Sequence, residues 1–228
     1  MAGRPPEVNA AKTAFNEVID QANRLYGVIK PFCGKSINSI SITQIHPKQA
    51  NRFLGLAFLS VLAGWEEFVE VSFIRYLAGS KAKNDYAPRM RIGACESLGH
   101  AYEILSGQLN FDPTRKYTNW ASFQSVIDKA KLFFKNGVPY SLLTSQEIDK
   151  INDANKVRNR VAHGSQKCKT DFRNVALKML NRTALHQGFD VGMLLLSSPA
   201  TQFVNTTQPD LFKGYIEFFE DLRARIVP

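Results

Sequence analysis

The sequence predicts an all-α protein, a helical bundle with additional helices and long loops, and three observations predict it. Apolar residues recur at helical spacing in one segment after another along the chain. Residues 47–78 read as one long helix that is apolar nearly all round from Phe53 to Leu77, as expected of a helix packed on several sides. The stretch Thr144 to Gly164, TSQEIDKINDANKVRNRVAHG, signals both ends of a single helix. Thr144 followed by Glu147 is a capping box, and Gly164 can supply the left-handed residue that closes a helix.

In chain order, residues 8–30 read as an amphipathic helix, with Phe15, Val18, Ile19, Ala22, Leu25, Tyr26 and Ile29 in period and Pro31 as the stop. Gly34-Lys35-Ser36 imitates the end of a phosphate-binding loop. The earlier glycine that motif requires falls on Ile29, and no buried strand precedes it, so the match is rejected. Ile37, Ile40, Ile42 and Ile45 among serines suggest an extended connector. The long apolar helix of residues 47–78 follows, interrupted by Glu66, Glu67 and Glu70. Glu66 and Glu70 share one face at i,i+4 spacing. After a polar loop, a helix is expected over 89–106 and another from an Asn119 cap to Lys135, with Trp120, Phe123, Ile127, Ala130 and Phe134 as its core. Gly137-Val138-Pro139 breaks that helix before the capped one begins at Ser145.

Beyond Gly164 a further helix buries Phe172, Val175, Ala176, Met179, Leu180 and Thr183, with Arg173, Lys178 and Arg182 pointing elsewhere. Leu194-Leu195-Leu196 requires burial in a short element. A last helix over 209–225 buries Phe212, Tyr215, Phe218, Phe219 and Leu222.

On the wheel of the capped helix, Ile148, Ile151, Ala154, Val157, Val161 and Ala162 fall in one half, and Asp149, Asp153, Lys156 and Arg160 in the other. Arg158 lands near the centre of the apolar half, and Asn155 sits inside it. Asn159 and His163 line up along its edge. A buried guanidinium costs several kcal/mol unless it is paired and hydrogen-bonded, so Arg158 needs a waiting partner. Two readings stand. Arg158 belongs to a structural ion pair with a Glu from another helix, or it gathers with an amide and an imidazole into a site. Glu66 and Glu70 are the leading partners, ahead of Glu67, unless these glutamates simply leave the core at a solvent edge.

Arg158-Asn159-x-x-x-His163, with Ala162 and Gly164 around the His, resembles the R-N-x-x-x-H signature of the HEPN superfamily of all-α ribonucleases and nucleotide-binding proteins. Gly64-Trp65-Glu66-Glu67-Phe68 resembles the SWExF/Y-type segment of HEPN families from bacterial defence and toxin–antitoxin loci. Together they imply one enlarged HEPN-like domain over residues 1–228. The resemblance also implies a homodimer in which Arg158 and His163 of both chains line one cleft, and the possibility of an antitoxin or other regulatory protein as partner. Many toxin-type members carry a Tyr two residues after the His; here Ser165 stands there, which puts regulation through that Tyr in doubt.

Composition supports a single folded domain: 228 residues suffice for a substantial core, and 44% hydrophobic with 11% aromatic content argues against disorder. MAGRPPEVNA lacks the apolar core of a signal peptide, and the longest apolar run, Phe53 to Trp65, is too short to span a membrane. Cys33, Cys95 and Cys168 form neither a CxxC nor a disulfide framework, so reduced thiols in a cytoplasmic protein are expected. The net charge is +9, and all of the excess lies between Pro113 and Arg182, which holds 14 Lys and Arg against 5 Asp and Glu. A solvated basic face is the ordinary explanation; its concentration around Arg158 and His163 favours a polyanion. Lys129, Lys131 and Lys135 are further candidates to border a nucleic-acid groove.

The chemistry available to such residues is RNA cleavage. Histidine is the residue suited to proton transfer near neutral pH, so His163 can take or give a proton; Arg158 can stabilise charge on phosphorus, and Asn159 can orient the imidazole or bind a phosphate oxygen. The 2′-hydroxyl of RNA is the nucleophile, so no metal or cofactor is required and none is expected. The scattered His46, His100, His163 and His186 show no metal-ligand spacing. Arg160, Lys156, Lys167 and Lys169 are the expected RNA-binding residues. The rival expectation is a HEPN-like module that binds RNA, a nucleotide or a partner protein without cleaving it. An unrelated bundle with Arg158 in an internal salt bridge is the third.

Overall fold

The computed structural model describes residues 7–33, 45–115, 119–198 and 208–228. Among them the chain is all-α, with eight α-helices, no strand, and an isolated antiparallel bridge between Met90 and Phe134. The helices are α1 (Asn9–Ile29), α2 (Pro47–Leu77), α3 (Leu98–Ser106), α4 (Phe123–Phe133), α5 (Ser145–Ala162), α6 (Gln166–Leu180), α7 (Val191–Leu195) and α8 (Leu211–Ile226). None of the described helices is long and apolar enough to cross a membrane. Gly34-Lys35-Ser36 and residues 37–44 of the expected extended connector lie outside the described residues.

The chain divides into two compact units, each discontinuous in sequence. The first unit comprises the residues up to Asn16, Gly64–Asp149 and Glu220–Pro228; the second comprises Glu17–Ala63 and Lys150–Phe219. The boundaries fall inside α1, α2, α5 and α8, so the sequence of each of these helices serves two cores.

The core of the first unit is aromatic. Phe15 lies against Trp65 and Phe68, and Trp65 stacks on Phe123 at 6.0 Å. Phe73 is ringed by Trp120, Phe134 and Tyr140 at 5.1–5.5 Å. Burying a side chain of this size contributes about 1.5–3 kcal/mol. Two buried tyrosines satisfy their polar ends: the Tyr140 hydroxyl is hydrogen-bonded to Ser72 Oγ at 2.9 Å, and the Tyr76 hydroxyl donates to the Ile226 carbonyl at 3.0 Å. In the second unit Tyr26 stacks flat on Phe212 at 5.0 Å, and Phe58 meets Tyr215 at 5.1 Å. Asp210 is buried there and accepts the Tyr26 hydroxyl and, at 3.0 Å, the Lys30 ammonium.

Three boundaries differ from those the sequence predicts. The helix expected over 89–106 is confined to Leu98–Ser106, because Ser97 caps it by accepting the His100 N–H at 3.1 Å. Upstream of that cap the backbone pairs with the end of α4 instead: Arg91 N–H donates to Phe133 O at 2.8 Å, and Lys135 N–H donates to Arg89 O at 2.7 Å. Asn119 does not cap α4. Its side chain closes a local turn onto the Ala121 N–H, and the helix starts at Phe123, although Trp120 is buried as expected. Thr183 is exposed rather than part of the α6 stripe, since Asn181 turns left-handed (φ 49°) and ends the helix at Leu180.

The capping box at the head of α5 is present. The Thr144 N–H donates to Glu147 Oε2 at 2.7 Å, and the Glu147 N–H donates to Thr144 Oγ1 at 3.3 Å. Glu147 also accepts from the Arg225 guanidinium near the end of α8. Burial pushes the Glu147 carboxyl up, but the bonds from Arg225 and Thr144 outweigh it and hold the pKa below the ordinary carboxylate value. The stability this group supplies is therefore present above an unfolded-chain pKa of about 4.3 and is lost as pH falls through the lower folded-state value. Glu147→Gln should melt below the native protein at pH 7, with the gap closing in melts run towards pH 3. A gap independent of pH would refute this role.

Candidate functional site

The residues singled out by the sequence lie mainly on α5 and α6 in the second unit, and a three-residue connection, His163-Gly164-Ser165, joins these helices. The His163 N–H donates to Asn159 O at 2.9 Å, so His163 still belongs to the last turn of α5. Gly164 is not left-handed, contrary to the sequence expectation. The reason is the connection itself: Ser165 caps the next helix at once, its side chain accepting the Cys168 N–H at 3.2 Å, so α5 needs no closing motif of its own. Arg158 and Asn159 are half-buried and His163 is exposed. Of the apolar half of the wheel, Ile151, Ala154 and Val157 are buried, Ile148 and Val161 half-buried, and Ala162, at the helix end, exposed.

Asp153, placed by the wheel among the solvated residues, is 4% exposed. Its two oxygens hold Lys156 at 3.1 Å and Lys178 at 2.7 Å, which ties α5 to α6. Lys156, one of the expected RNA-binding residues, is thus engaged locally. So is Lys167, whose ammonium meets Asp171 at 2.6 Å. From Lys150 to Arg182 the chain carries nine Lys and Arg against only these two aspartates. Both carboxylates are spent on lysines.

The other two expected RNA-binding residues, Arg160 and Lys169, come together in a groove of about 530 Å³. One wall is the first two turns of α6, where Gln166, Lys169, Thr170 and Arg173 fall at i, i+3, i+4 and i+7 on one face. Opposite lies the segment 185–189, turned by Gly188 at φ 83°, a conformation that favours glycine. The groove has an aromatic floor and side. Phe189 stacks on the buried Phe172 at 6.4 Å, and the exposed His186 ring meets Phe189 edge-on at 5.4 Å. No carboxylate is among the described residues that line it. Arg173, His186 and Phe189 were not identified from sequence as a set. The only signal was the spacing of polar residues along α6, and nothing local places residues 185–189 across from it.

Arg160 also borders a second cavity of about 290 Å³, with Lys48 and Arg52 of α2 and with Asp190. Asp190 accepts the Met193 N–H at the head of α7 and the Asn51 amide at 3.2 Å. α7 approaches α2 so closely that a Cβ on Gly192 would lie 2.5 Å from the Asn51 backbone.

Glu66 and Glu70 belong to the first unit, and Arg158 to the second. Glu70 accepts the Tyr102 hydroxyl at 3.0 Å; burial raises its pKa, opposed by that bond. His46 and His100 each accept a backbone N–H through Nδ1, from Lys48 at 3.2 Å and Glu96 at 3.3 Å. Cys33, Cys95 and Cys168 are free thiols. No group of three metal-ligating side chains occurs among the described residues.

No family model, no curated protein and no solved structure matches the chain.

Removing a buried, doubly paired carboxylate leaves two ammoniums without their counter-charge. Breaking a fully buried pair costs about 3–5 kcal/mol; Lys156 and Lys178 keep 45% and 56% of their side-chain surface in water, which reduces that figure. Asp153→Ala should destabilise the protein by about 1–3 kcal/mol in urea unfolding. A change within experimental error would show that α5 and α6 do not depend on this pairing.

Proposed function

We propose that the chain is a metal-independent endoribonuclease of a bacterial defence or stress system. The observation that carries this reading is the position of the Arg158-Asn159-x-x-x-His163 motif: it occupies the end of α5, where Arg160 of the same turn and the face of α6 just beyond His163 border a groove rich in cations. Such a groove attracts a phosphodiester backbone through phosphate neutralisation and counterion release. His163, exposed at the turn, is accessible to a substrate.

In the proposed reaction the 2′-oxygen of RNA attacks the adjacent phosphorus as an imidazole accepts its proton. The bond from phosphorus to the 5′-oxygen breaks, and a second acid protonates the leaving oxygen. The products are a 2′,3′-cyclic phosphate and a 5′-hydroxyl. Arg158 offsets the charge that develops on the phosphorane oxygens, and Asn159 orients the imidazole or a phosphate oxygen. Glu66 and Glu70 are supporting residues in this reading. One chain supplies one motif imidazole, so the reaction calls for a homodimer in which two motifs share a cleft, the commonest form of oligomer.

The half-burial of Arg158 and Asn159 favours a second reading, a HEPN-like module that binds RNA, a nucleotide or a partner such as an antitoxin without turnover. Cleavage of end-labelled RNA in EDTA separates the two. The nuclease reading expects cyclic-phosphate ends with the native protein and a loss of at least ~100-fold in rate with folded His163→Ala, the lower range for a general acid–base group. Equal RNA retention by both proteins with no cleavage by either would replace it with the binding module.

A further inference from the structure

We infer that the groove between α6 and residues 185–189 is a nucleotide subsite selective for single-stranded RNA. The inference deepens the proposed function and rests on the chain acting on RNA, whether it cleaves or only binds. The groove combines two kinds of wall. Arg160, Lys169 and Arg173 converge on it from α5 and α6, with no carboxylate among its described lining residues, while Asp153 and Asp171, the only acids from Lys150 to Arg182, are engaged by Lys156, Lys178 and Lys167. The cations at the groove are therefore the ones available to a phosphate. Facing them is a run of rings, the buried Phe172, the Phe189 stacked on it and the exposed His186, the last presenting its imidazole to solvent.

A phosphate-only site has no use for such rings, and a paired base cannot reach them. In A-form duplex RNA the base faces are stacked on one another, whereas a single strand can splay a base onto an aromatic or imidazole ring. Gln166 and Thr170, exposed on the same face of α6, add hydrogen-bonding groups for a ribose or a base edge. The volume, about 530 Å³, falls within the range of small-molecule sites and so suits one nucleotide rather than an extended strand. Neighbouring nucleotides would then run past the turn that carries His163. Lys169 and Arg173 are exposed and His186 lies outside the buried core, so substitutions there leave the core intact.

The test is fluorescence anisotropy with an unstructured single-stranded RNA and a blunt RNA duplex, across a salt series, on the full chain and folded variants. Lys169→Glu and Arg173→Glu should each weaken single-strand binding by roughly 10-fold or more and lower the salt slope by about 0.7 for each phosphate no longer neutralised. His186→Ala should weaken it roughly 5-fold or more with the salt slope unchanged, since it removes stacking and not charge. The duplex should bind more weakly than the single strand and be indifferent to His186→Ala. Competition by uridine monophosphate beyond that of inorganic phosphate at equal ionic strength would show that the base is read. Groove variants that bind like the native protein would overturn the subsite, as would a His186→Ala effect of equal size on duplex and single strand. RNA cleavage that persists with unchanged KM in the groove variants would remove the subsite and leave the nuclease reading intact. Groove-dependent binding without cleavage would do the reverse.

Discussion

The arrangement of the second unit depends on one buried charge, the carboxylate of Asp153 held between Lys156 and Lys178. A carboxylate that is 4% exposed is tolerable only while its two ammoniums stay in place. Lys156 is one turn away on α5, but Lys178 is on α6, so the pairing of Asp153 is completed only when the two helices dock. With the connection between them only three residues long, fixing this pairing fixes which faces of α5 and α6 can meet. The apolar stripes Ile151, Ala154, Val157 and Phe172, Val175, Ala176, Met179 are then buried, and Gln166, Lys169, Thr170 and Arg173 are turned outward along one edge.

The same pairing sorts the charges. From Lys150 to Arg182 the chain has far more cations than anions, and its two aspartates, Asp153 and Asp171, take up lysines that lie away from the groove. What remains at the groove is a cluster of like charges around Arg160, Lys169 and Arg173. Like charges held together by a fold cost stability through mutual repulsion, which solvent and salt reduce but do not abolish. Packing did not require this cluster, since all three residues are exposed or half-buried. A polyanion in the groove would relieve it. The rings of Phe172, Phe189 and His186 add apolar surface beside the charges, where a phosphate alone would gain nothing.

Helical periodicity made the helices legible, because burying one face of a helix leaves a regular mark on the sequence. Tyr26, Tyr215 and Phe219 are buried where that mark puts them, and the capping box at Thr144 and Glu147 is a local device fully written in four residues. What was not legible is what depends on a distant partner. The wheel assigns Asp153 to water because nothing near it in sequence announces Lys178. Residues 89–97 lose their predicted helix to pairing with Phe133 and Lys135, some forty residues away. Gly192 reads as an ordinary small residue until the Asn51 backbone is seen beside it. The groove follows the same rule: its α6 wall was present in the spacing of polar residues, while its 185–189 wall is brought there only by the fold.

The motif residues divide by exposure in a way that bears on how a reaction could be shared between copies. Arg158 and Asn159 are half-buried within the helix packing, whereas His163 stands exposed at the turn into α6. An exposed imidazole is poorly held by its own chain, and a general acid–base group must be positioned to within a few tenths of an ångström of the proton it moves. A second copy packed across the turn would restrict His163 and bring the complementary imidazole in one step, which suits a C2 pairing because each chain gives and receives the same contact. The groove needs no such completion: its cations and rings all come from one chain. Binding would then be a property of the protomer and turnover a property of the dimer, so RNA affinity and cleavage should depend differently on protein concentration.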